Sequence, residues 1–179
     1  FSRFGRIGMG LEYEMILYLD FDGVLHPRAP GKALFSNLAR LEAVLREFEF
    51  VEVVITSTWR EDMSFEKLQA LFSLDIQQRV IGVTPVVEIE FPAGPHGTRE
   101  EEIRLFLERG NCKERTWLAL DDEERLFQPS CANLVICPTQ IGFDEETEKR
   151  LRERLQGNAA AVRKSAITAG GIQMRQRPV

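Results

Sequence analysis

Short, uninterrupted apolar runs alternate with helical patterns along most of this chain of 179 residues. Five of these runs have the length and composition of buried strands, and turn or helix signals separate them. The runs are Met15–Phe21, Val51–Thr56, Arg79–Val83, Thr116–Leu120 and Asn133–Cys137. Intervening helices join successive strands into βαβ units, and right-handed crossovers make these strands parallel. The order therefore predicts an α/β fold, a three-layer α/β/α sandwich around a parallel, Rossmann-like sheet.

Helical patterns follow four of the five predicted strands. They cover Ser36–Phe48, Ser64–Phe72, Thr98–Arg109 and Asp144–Gln156. Ser36 has the side chain of an N-cap, and Asp144 is expected to cap the last helix. Thr98 is predicted to cap the third helix, with Glu101 at the capping-box position.

The middle of the chain carries the pattern of one folded domain, predicted at residues 15–156. Residues 1–14 are expected to be a flexible extension or a cloning remnant, because the first strand pattern opens only at Met15. Residues 157–179 are expected to be a flexible C-terminal tail, because they lack sustained apolar periodicity. No run of about 18 apolar residues occurs, so neither a transmembrane helix nor a membrane partner is predicted.

Charge and cysteine usage exclude some classes of protein. The formal net charge of −5 argues against a large non-specific nucleic-acid surface, which needs clustered Lys and Arg. Cys112, Cys131 and Cys137 show no C-x-x-C spacing and are expected to be reduced thiols of a cytoplasmic protein. His26 and His96 are the two histidines, so a zinc site is not expected.

Polar residues follow three of the predicted strands, at the point where each strand ends. They are Asp20 and Asp22, Thr56 and Ser57, and Asp121 and Asp122. Each acidic pair alone is also compatible with a turn or a helix N-cap. In a parallel sheet, however, ligands bind at the carboxyl ends of the strands, where these pairs would meet. Several carboxylates at one edge repel one another unless a cation neutralises them, and oxygen-only ligands suit Mg²⁺.

These strand ends also carry the motifs of a known superfamily. LDFDGVLHP, residues 19–27, resembles motif I of the haloacid dehalogenase (HAD) superfamily, with Val24 where threonine is common. VVITSTWR, residues 53–60, resembles motif II, and LALDDEE, residues 118–124, resembles motif IV. Arg99 stands where motif III normally places Lys or Arg. Because the order and spacing agree over nearly the whole predicted domain, the chain is identified as a member of this superfamily, with an HAD-like sheet.

The resemblance implies a catalytic role for the acidic residues. Asp20 would attack phosphorus as a nucleophile and form an aspartyl-phosphate. Asp22 would protonate the leaving oxygen and then act as the base for water. Mg²⁺ would be held by Asp20, the backbone carbonyl of Asp22 and Asp121, with Asp122 close by or acting through water.

The resemblance also implies phosphate-binding residues. Thr56 is the first choice as a donor to a phosphoryl oxygen, and Ser57 is the alternative, because the row of hydroxyl residues leaves the register open by one position. Arg99 would supply the positive charge, and Arg60 competes for that role. The other interpretation of Arg99 is a solvated helix residue that pairs with a neighbouring glutamate.

Four segments resemble a narrower family of HAD domains, attached to RNA-repair (Swiss army knife) proteins and also found alone. They are Ser57–Arg60, Arg79–Pro85, Arg99–Ile103 and Leu118–Asp122. For Trp59, two roles remain open, which are core packing and stacking on a base.

The short inserts imply an open site. HAD enzymes select substrates largely through cap insertions, and the segments between Gly23 and Val51 and between Arg60 and Arg99 are too short for a large cap domain. The loop Thr84–Gly97 is expected to border the entrance. The resemblance therefore implies a phosphatase, a phosphoric monoester hydrolase acting on an exposed or terminal phosphate of a nucleic acid or protein. The alternatives are a small-molecule, nucleotidase-like phosphatase and a non-catalytic HAD-fold binding module.

Overall fold

A parallel sheet of five strands forms the centre of the computed structural model, which describes residues 15–87, 96–110 and 112–170 and side chains as far as residue 158. The strand order is β3-β2-β1-β4-β5. The strands are β1 (Met15–Leu19), β2 (Val51–Ile55), β3 (Val80–Val83), β4 (Thr116–Asp121) and β5 (Leu134–Ile136). The predicted α/β fold with a parallel sheet is confirmed.

Helices cover both faces of this sheet. They are α1 (Leu38–Glu47), α2 (Trp59–Asp62), α3 (Phe65–Gln69), α4 (Leu74–Gln77), α5 (Thr98–Arg109) and α6 (Glu145–Gly170), with a 3-10 turn at Glu124–Leu126. Alternate residues of β1 point to opposite faces. Leu17 and Leu19 pack with residues of α1, α3 and α6, whereas Ile16 and Tyr18 pack with residues of α5. The sheet is therefore the middle layer of the predicted sandwich.

The register of the central strands brings three strand ends level. Leu19 at the end of β1 pairs with Ile55 of β2 on one side and with Leu120 of β4 on the other. The next residue on each strand is polar, namely Asp20, Thr56 and Asp121. Because the strands are parallel, these side chains emerge at the same edge.

The connections leave no room for a large cap domain. The chain between β1 and β2 contains α1, and the chain between β2 and β3 contains the three short helices α2, α3 and α4. The loop predicted at Thr84–Gly97 lies partly outside the described residues, which omit 88–95. None of the helices described is long and apolar enough to cross a lipid bilayer.

Two helix starts differ from the prediction. Ser36 is not the N-cap of α1, because Asn37 holds that position and its side chain donates instead to the carbonyls of Val24 and Ile141. Thr98 is the first residue of α5 rather than its cap. Gly97 takes the cap position with a φ of 75°, a left-handed value that glycine adopts without strain.

The last helix begins as predicted and ends later. Asp144 Oδ1 accepts hydrogen bonds from the backbone N–H and the hydroxyl of Thr147, at 2.9 and 2.7 Å, which confirms the predicted cap. The helix does not end at Gln156 but continues to Gly170, because an alanine-rich stretch with high helix propensity follows. Residues 171–179, like residues 1–14, lie outside the described part of the chain.

Candidate functional site

Three buried carboxylates meet at the carboxyl ends of β1 and β4. Asp20, Asp121 and Asp122 each offer an oxygen atom, and these atoms lie within 4.8 Å of one another. The three residues are 3%, 1% and 8% exposed. The Asp20 N–H donates to the carbonyl of Leu120 at 3.1 Å, which continues the strand pairing into the site. The sheet itself therefore fixes the distance between the two acidic strand ends.

The burial of these acids makes their ionisation costly. Burial raises the pKa of Asp121 to about 7, the charge of Asp20 adds to this effect, and Arg99 opposes it. Burial also raises the pKa of Asp20 and that of Asp122. Two like charges close together in a buried, low-dielectric site repel each other, which favours the protonated forms of these carboxyls. A bound cation would reverse that preference.

Some oxygens of this cluster have no hydrogen-bond partner in the described part of the chain. By strict hydrogen-bond geometry they are Asp121 Oδ2 and both carboxylate oxygens of Asp122. The Thr139 side chain nevertheless lies close enough to Asp122 to lower the pKa of that carboxyl, against the larger effect of burial. Arg99 Nε lies 3.2 Å from Asp121 Oδ2, and Arg28 Nη2 lies 3.4 Å from Asp122 Oδ1, but neither contact has the alignment of a hydrogen bond. Buried oxygens without a donor are rare and call for a ligand. A set of carboxylate oxygens is also the chemistry that hard divalent cations prefer, so these residues fit such an ion.

Gly23 is required by the close approach of Asp122. It has a φ of 72°, and a Cβ atom at this position would lie 2.1 Å from Asp122 Oδ2. The glycine of the D-x-D-G pattern therefore leaves room for the second acidic strand end. Val24, which stands where threonine is common in motif I, is fully buried in the core.

Asp22 lies apart from the carboxylate cluster. Its Oδ1 accepts a hydrogen bond from His26 Nε2 at 3.0 Å, and its Oδ2 accepts one from Trp59 Nε1 at 2.9 Å. The side chain is 33% exposed. The structure thus separates the carboxylates of Asp20 and Asp22. The sequence analysis assigned the backbone carbonyl of Asp22, and not its carboxylate, to the metal. That assignment does not require the Asp22 side chain to lie in the cluster.

Two arginines compete for the place of the motif III cation, and they take different positions. Arg99 is buried, with Nη2 4.0 Å from Asp20 Oδ1 and Nε beside Asp121. Arg60 Nη2 instead pairs with Glu102 Oε1 at 2.6 Å, and its Nε donates to a backbone carbonyl. Arg99 also contacts Glu102, at 3.4 Å, but its burial shows that the solvated interpretation is wrong. Of these two arginines, Arg99 is therefore the one beside the acids.

The two hydroxyl residues after β2 also differ. The Thr56 carbonyl accepts hydrogen bonds from both Arg60 and Arg99, so this residue anchors the arginines through its backbone. The buried Ser57 hydroxyl has no hydrogen-bond partner of normal geometry among the described residues. It lies close enough to Asp20 to lower the pKa of that carboxyl, against the larger effect of burial. Ser57 is thus the hydroxyl with free hydrogen-bonding capacity beside the acids.

Arg28 is a site residue that the sequence analysis missed. Its guanidinium pairs with Glu123 Oε1 at 2.6 Å and lies beside Asp122, and its side chain is 38% exposed. The Arg28 N–H donates to the carbonyl of Thr139, which ties this loop to the segment after β5. The sequence signal was a single cation eight residues after Asp20, in a loop without periodicity.

Trp59 packs partly as predicted. Its ring lies against Phe21 and Phe35, with centroid distances of 5.9 and 5.3 Å, at the edge of the core. Its indole N–H points to Asp22, a contact that neither of the two sequence interpretations included.

The comparison with known families gives one match over this site. A profile described as the HAD domain in Swiss Army Knife RNA repair proteins matches residues 16–147. The match runs from β1 to the first turn of α6 and includes every residue of the site. Comparisons with curated proteins and with solved structures gave no match.

Proposed function

The chain belongs to the HAD domains of the Swiss Army Knife RNA repair family, and from this premise we propose that it is a Mg²⁺-dependent phosphatase. The observation that carries the proposal is the cluster of Asp20, Asp121 and Asp122, with oxygens that accept no well-aligned hydrogen bond from the described residues. Arg99 and Ser57 border the same cluster and supply a cation and a free hydroxyl. Acids, cation and hydroxyl together form a place for a phosphoryl group next to a nucleophile.

Asp20 is the proposed nucleophile. Its carboxylate attacks phosphorus, the bond from phosphorus to the leaving oxygen breaks, and an aspartyl-phosphate forms. Asp22 gives a proton to the leaving oxygen in this step. Asp22 then accepts a proton from the water that attacks the aspartyl-phosphate, which releases inorganic phosphate and restores Asp20.

Arg99 and Ser57 have binding roles in this proposal. The Arg99 guanidinium balances charge where an anionic phosphate approaches anionic Asp20. The Ser57 hydroxyl donates to a phosphoryl oxygen, and its neighbour Thr56 holds Arg99 in place through its carbonyl. Arg60 pairs with Glu102, which also contacts Arg99, so it helps to hold Arg99 in place.

The acidic cluster and the backbone carbonyl of Asp22 are the groups that would hold Mg²⁺. When bound, the ion screens the acids from the phosphate and stabilises the charge that shifts during transfer. The fit rests on buried carboxylate oxygens that accept no well-aligned hydrogen bond within the described part of the chain.

An exposed or terminal phosphate is the proposed substrate. The short connections of the described chain leave the site without a large cap, so a phosphate at the end of a polymer can reach it. The half-exposed Arg28 lies at the rim, where its guanidinium pairs with Glu123 and Asp122. The family's occurrence in RNA repair proteins supports a nucleic-acid end as the carrier of this phosphate.

The test is hydrolysis measured with and without Mg²⁺ on para-nitrophenyl phosphate, on 5′- and 3′-phosphorylated oligonucleotides and on mononucleotides. We expect Mg²⁺-dependent turnover that is faster on one class of oligonucleotide than on mononucleotides. Asp20→Asn should abolish this turnover. Asp75→Asn, a change at an exposed aspartate on α4, is the matched control and should keep it. A protein that turns over none of these substrates would contradict the phosphatase proposal. A preference for mononucleotides would contradict the open site and favour a nucleotidase.

A further inference from the structure

Asp22 is held by two donors that the proposed mechanism does not use. Trp59 Nε1 lies 2.9 Å from Asp22 Oδ2, and His26 Nε2 lies 3.0 Å from Oδ1. Each carboxylate oxygen therefore has its own donor. A carboxylate fixed at both oxygens cannot rotate without breaking one of these hydrogen bonds.

The two donors are themselves held by aromatic packing. Trp59 contacts Phe21, Phe35 and His26, with ring centroids 5.9, 5.3 and 6.0 Å away. His26 is 4% exposed and contacts Phe35 at 5.4 Å. His26 comes from the loop after β1 and Trp59 from the start of α2. The position of the Asp22 carboxylate is thus set by two of the elements that form the site.

This arrangement leaves Asp22 able to react. Each carboxylate oxygen has two acceptor positions, and the indole and imidazole donors use only one on each. The Asp22 side chain remains 33% exposed, so a substrate oxygen can approach the free positions. An indole N–H is only a donor and cannot take the proton that Asp22 carries.

We propose that Trp59 and His26 are positioning residues that aim the Asp22 carboxylate at the leaving oxygen of the substrate. This inference rests on the proposed phosphatase function, and it gives Trp59 a role in orienting Asp22 rather than in stacking on a base. Three aromatic rings already contact the Trp59 ring, which leaves less of its face for a nucleobase. A general acid must lie within hydrogen-bond reach of its target, and small displacements reduce the rate strongly.

The first test compares leaving groups. Trp59→Phe keeps an aromatic ring and removes the N–H. On a phosphorylated oligonucleotide, whose alkoxide leaving group needs a proton, we expect kcat to fall about 10- to 100-fold with little change in KM. On para-nitrophenyl phosphate, whose leaving group departs without a proton, the loss should be clearly smaller. The matched control is Trp117→Phe, since Trp117 packs with Tyr18 on the other face of the sheet and should leave both rates unchanged.

His26 gives the parallel comparison. His26→Gln places an amide donor near the position of Nε2, whereas His26→Leu has none. We expect His26→Leu to show the same dependence on leaving group as Trp59→Phe, and His26→Gln to recover most of the rate. Equal losses on both substrates, accompanied by an equal loss of thermal stability, would show a merely structural role and overturn the inference. A rise in KM on oligonucleotides alone, with kcat unchanged, would show base stacking and also overturn it.

A second measurement does not depend on activity. The chain has two tryptophans, so a proton–nitrogen correlation spectrum contains two indole N–H signals, which the two Trp→Phe variants assign. Asp22→Asn replaces the carboxyl acceptor by an amide and should move the Trp59 signal while that of Trp117 stays. An unmoved Trp59 signal would contradict the contact itself. An active wild type without the leaving-group effect would overturn only this inference, whereas an inactive wild type would overturn the proposed function and this inference together.

Discussion

The two edges of the sheet both bury charge, and they treat it in opposite ways. At the edge where the strands begin, the buried Arg79 donates to the carbonyls of Leu45, Phe48 and Val51, at distances that include 2.6, 2.8 and 2.9 Å. At the edge where the strands end, Asp121 and Asp122 keep oxygens without a hydrogen-bond partner among the described residues.

The difference separates a structural charge from a functional one. The guanidinium of Arg79 joins the end of α1 to the start of β2, so its hydrogen bonds are used within the fold. Burial raises the pKa values of the acids at the other edge, and some of their oxygens remain available to a ligand. A buried charge whose hydrogen bonds are satisfied inside the protein stabilises the fold, whereas buried carboxylates that keep oxygens without a donor are candidates for ligand binding.

The largest expected effect is on catalysis and comes from Asp20→Asn. We expect kcat/KM to fall about 10³-fold or more, equivalent to about 4 kcal/mol of transition-state stabilisation. The free energy of unfolding should stay the same or rise, because burial raises the pKa of Asp20 and the amide removes a costly charge. Kinetics and urea unfolding of the same variant check both parts. A variant that keeps its activity, or that loses activity because it no longer folds, would contradict the claim that the acids at this edge serve catalysis and not stability.

Arg79→Met should show the opposite combination. Three buried carbonyls lose a donor, so we expect the free energy of unfolding to fall by about 3 kcal/mol. The folded fraction should retain the wild-type kcat/KM at low temperature. The matched control is Arg104→Met, because Arg104 is exposed and pairs with Glu101 and Glu108 on its own helix; its effect on the free energy of unfolding should be small. Equal effects of the two variants would show that the Arg79 contacts do not stabilise the fold.

The effect of Mg²⁺ on stability should depend on pH. The pKa of Asp121 rises from 3.8 to about 7 in the folded protein, so without a cation its contribution to stability is present below pH 3.8 and is lost as the pH rises through about 7. Mg²⁺ binds the deprotonated form, so its stabilisation should be larger at pH 8 than at pH 5. It reaches about 2.7 kcal/mol when the Mg²⁺ concentration is 100 times Kd.

Thermal unfolding at both pH values, with and without Mg²⁺, measures this difference. Asp121→Asn should weaken the dependence on Mg²⁺ and on pH, with the buried Asp20 and Asp122 supplying the pH dependence that remains, whereas Asp75→Asn should leave both in place. A Mg²⁺ effect that is equal at the two pH values would show that the carboxylates at this edge are not its binding site.

The sheet and the edge that carries the site followed from the sequence for a simple reason. The buried strands are nearly continuous apolar runs, and their polar residues come only at the ends, as at Asp20 and Asp121. Parallel strands then place these ends together without any knowledge of side-chain contacts. This is why the pattern predicted that Asp20, Asp121 and Asp122 meet, as well as the fold. It also placed Asp22 with them, whereas the Asp22 side chain lies apart and bonds to His26 and Trp59.

Contacts between residues far apart in the chain determined the features that the sequence did not predict. The predicted helix Ser64–Phe72 ends early, at Gln69, and α4 begins separately at Leu74. Before α4, Glu42 accepts hydrogen bonds from the N–H and the hydroxyl of Ser73. Glu42 is 31 residues from Ser73 in the chain, so no local sequence pattern predicts where the helix ends. The positions of Arg28 and of the Trp59 N–H depend on loop geometry in the same way, as does the choice between Arg99 and Arg60.

The most direct test of the central claim is to capture the phosphoryl group on Asp20. The protein is mixed with Mg²⁺ and a phosphorylated substrate, quenched during turnover and reduced with borohydride, which converts an aspartyl-phosphate to homoserine. Peptide mass spectrometry then locates the change. The account predicts homoserine at position 20, absent without substrate and absent in Asp20→Asn. Steady turnover with an unmodified Asp20, or with the modification at Asp121 or Asp122, would contradict it.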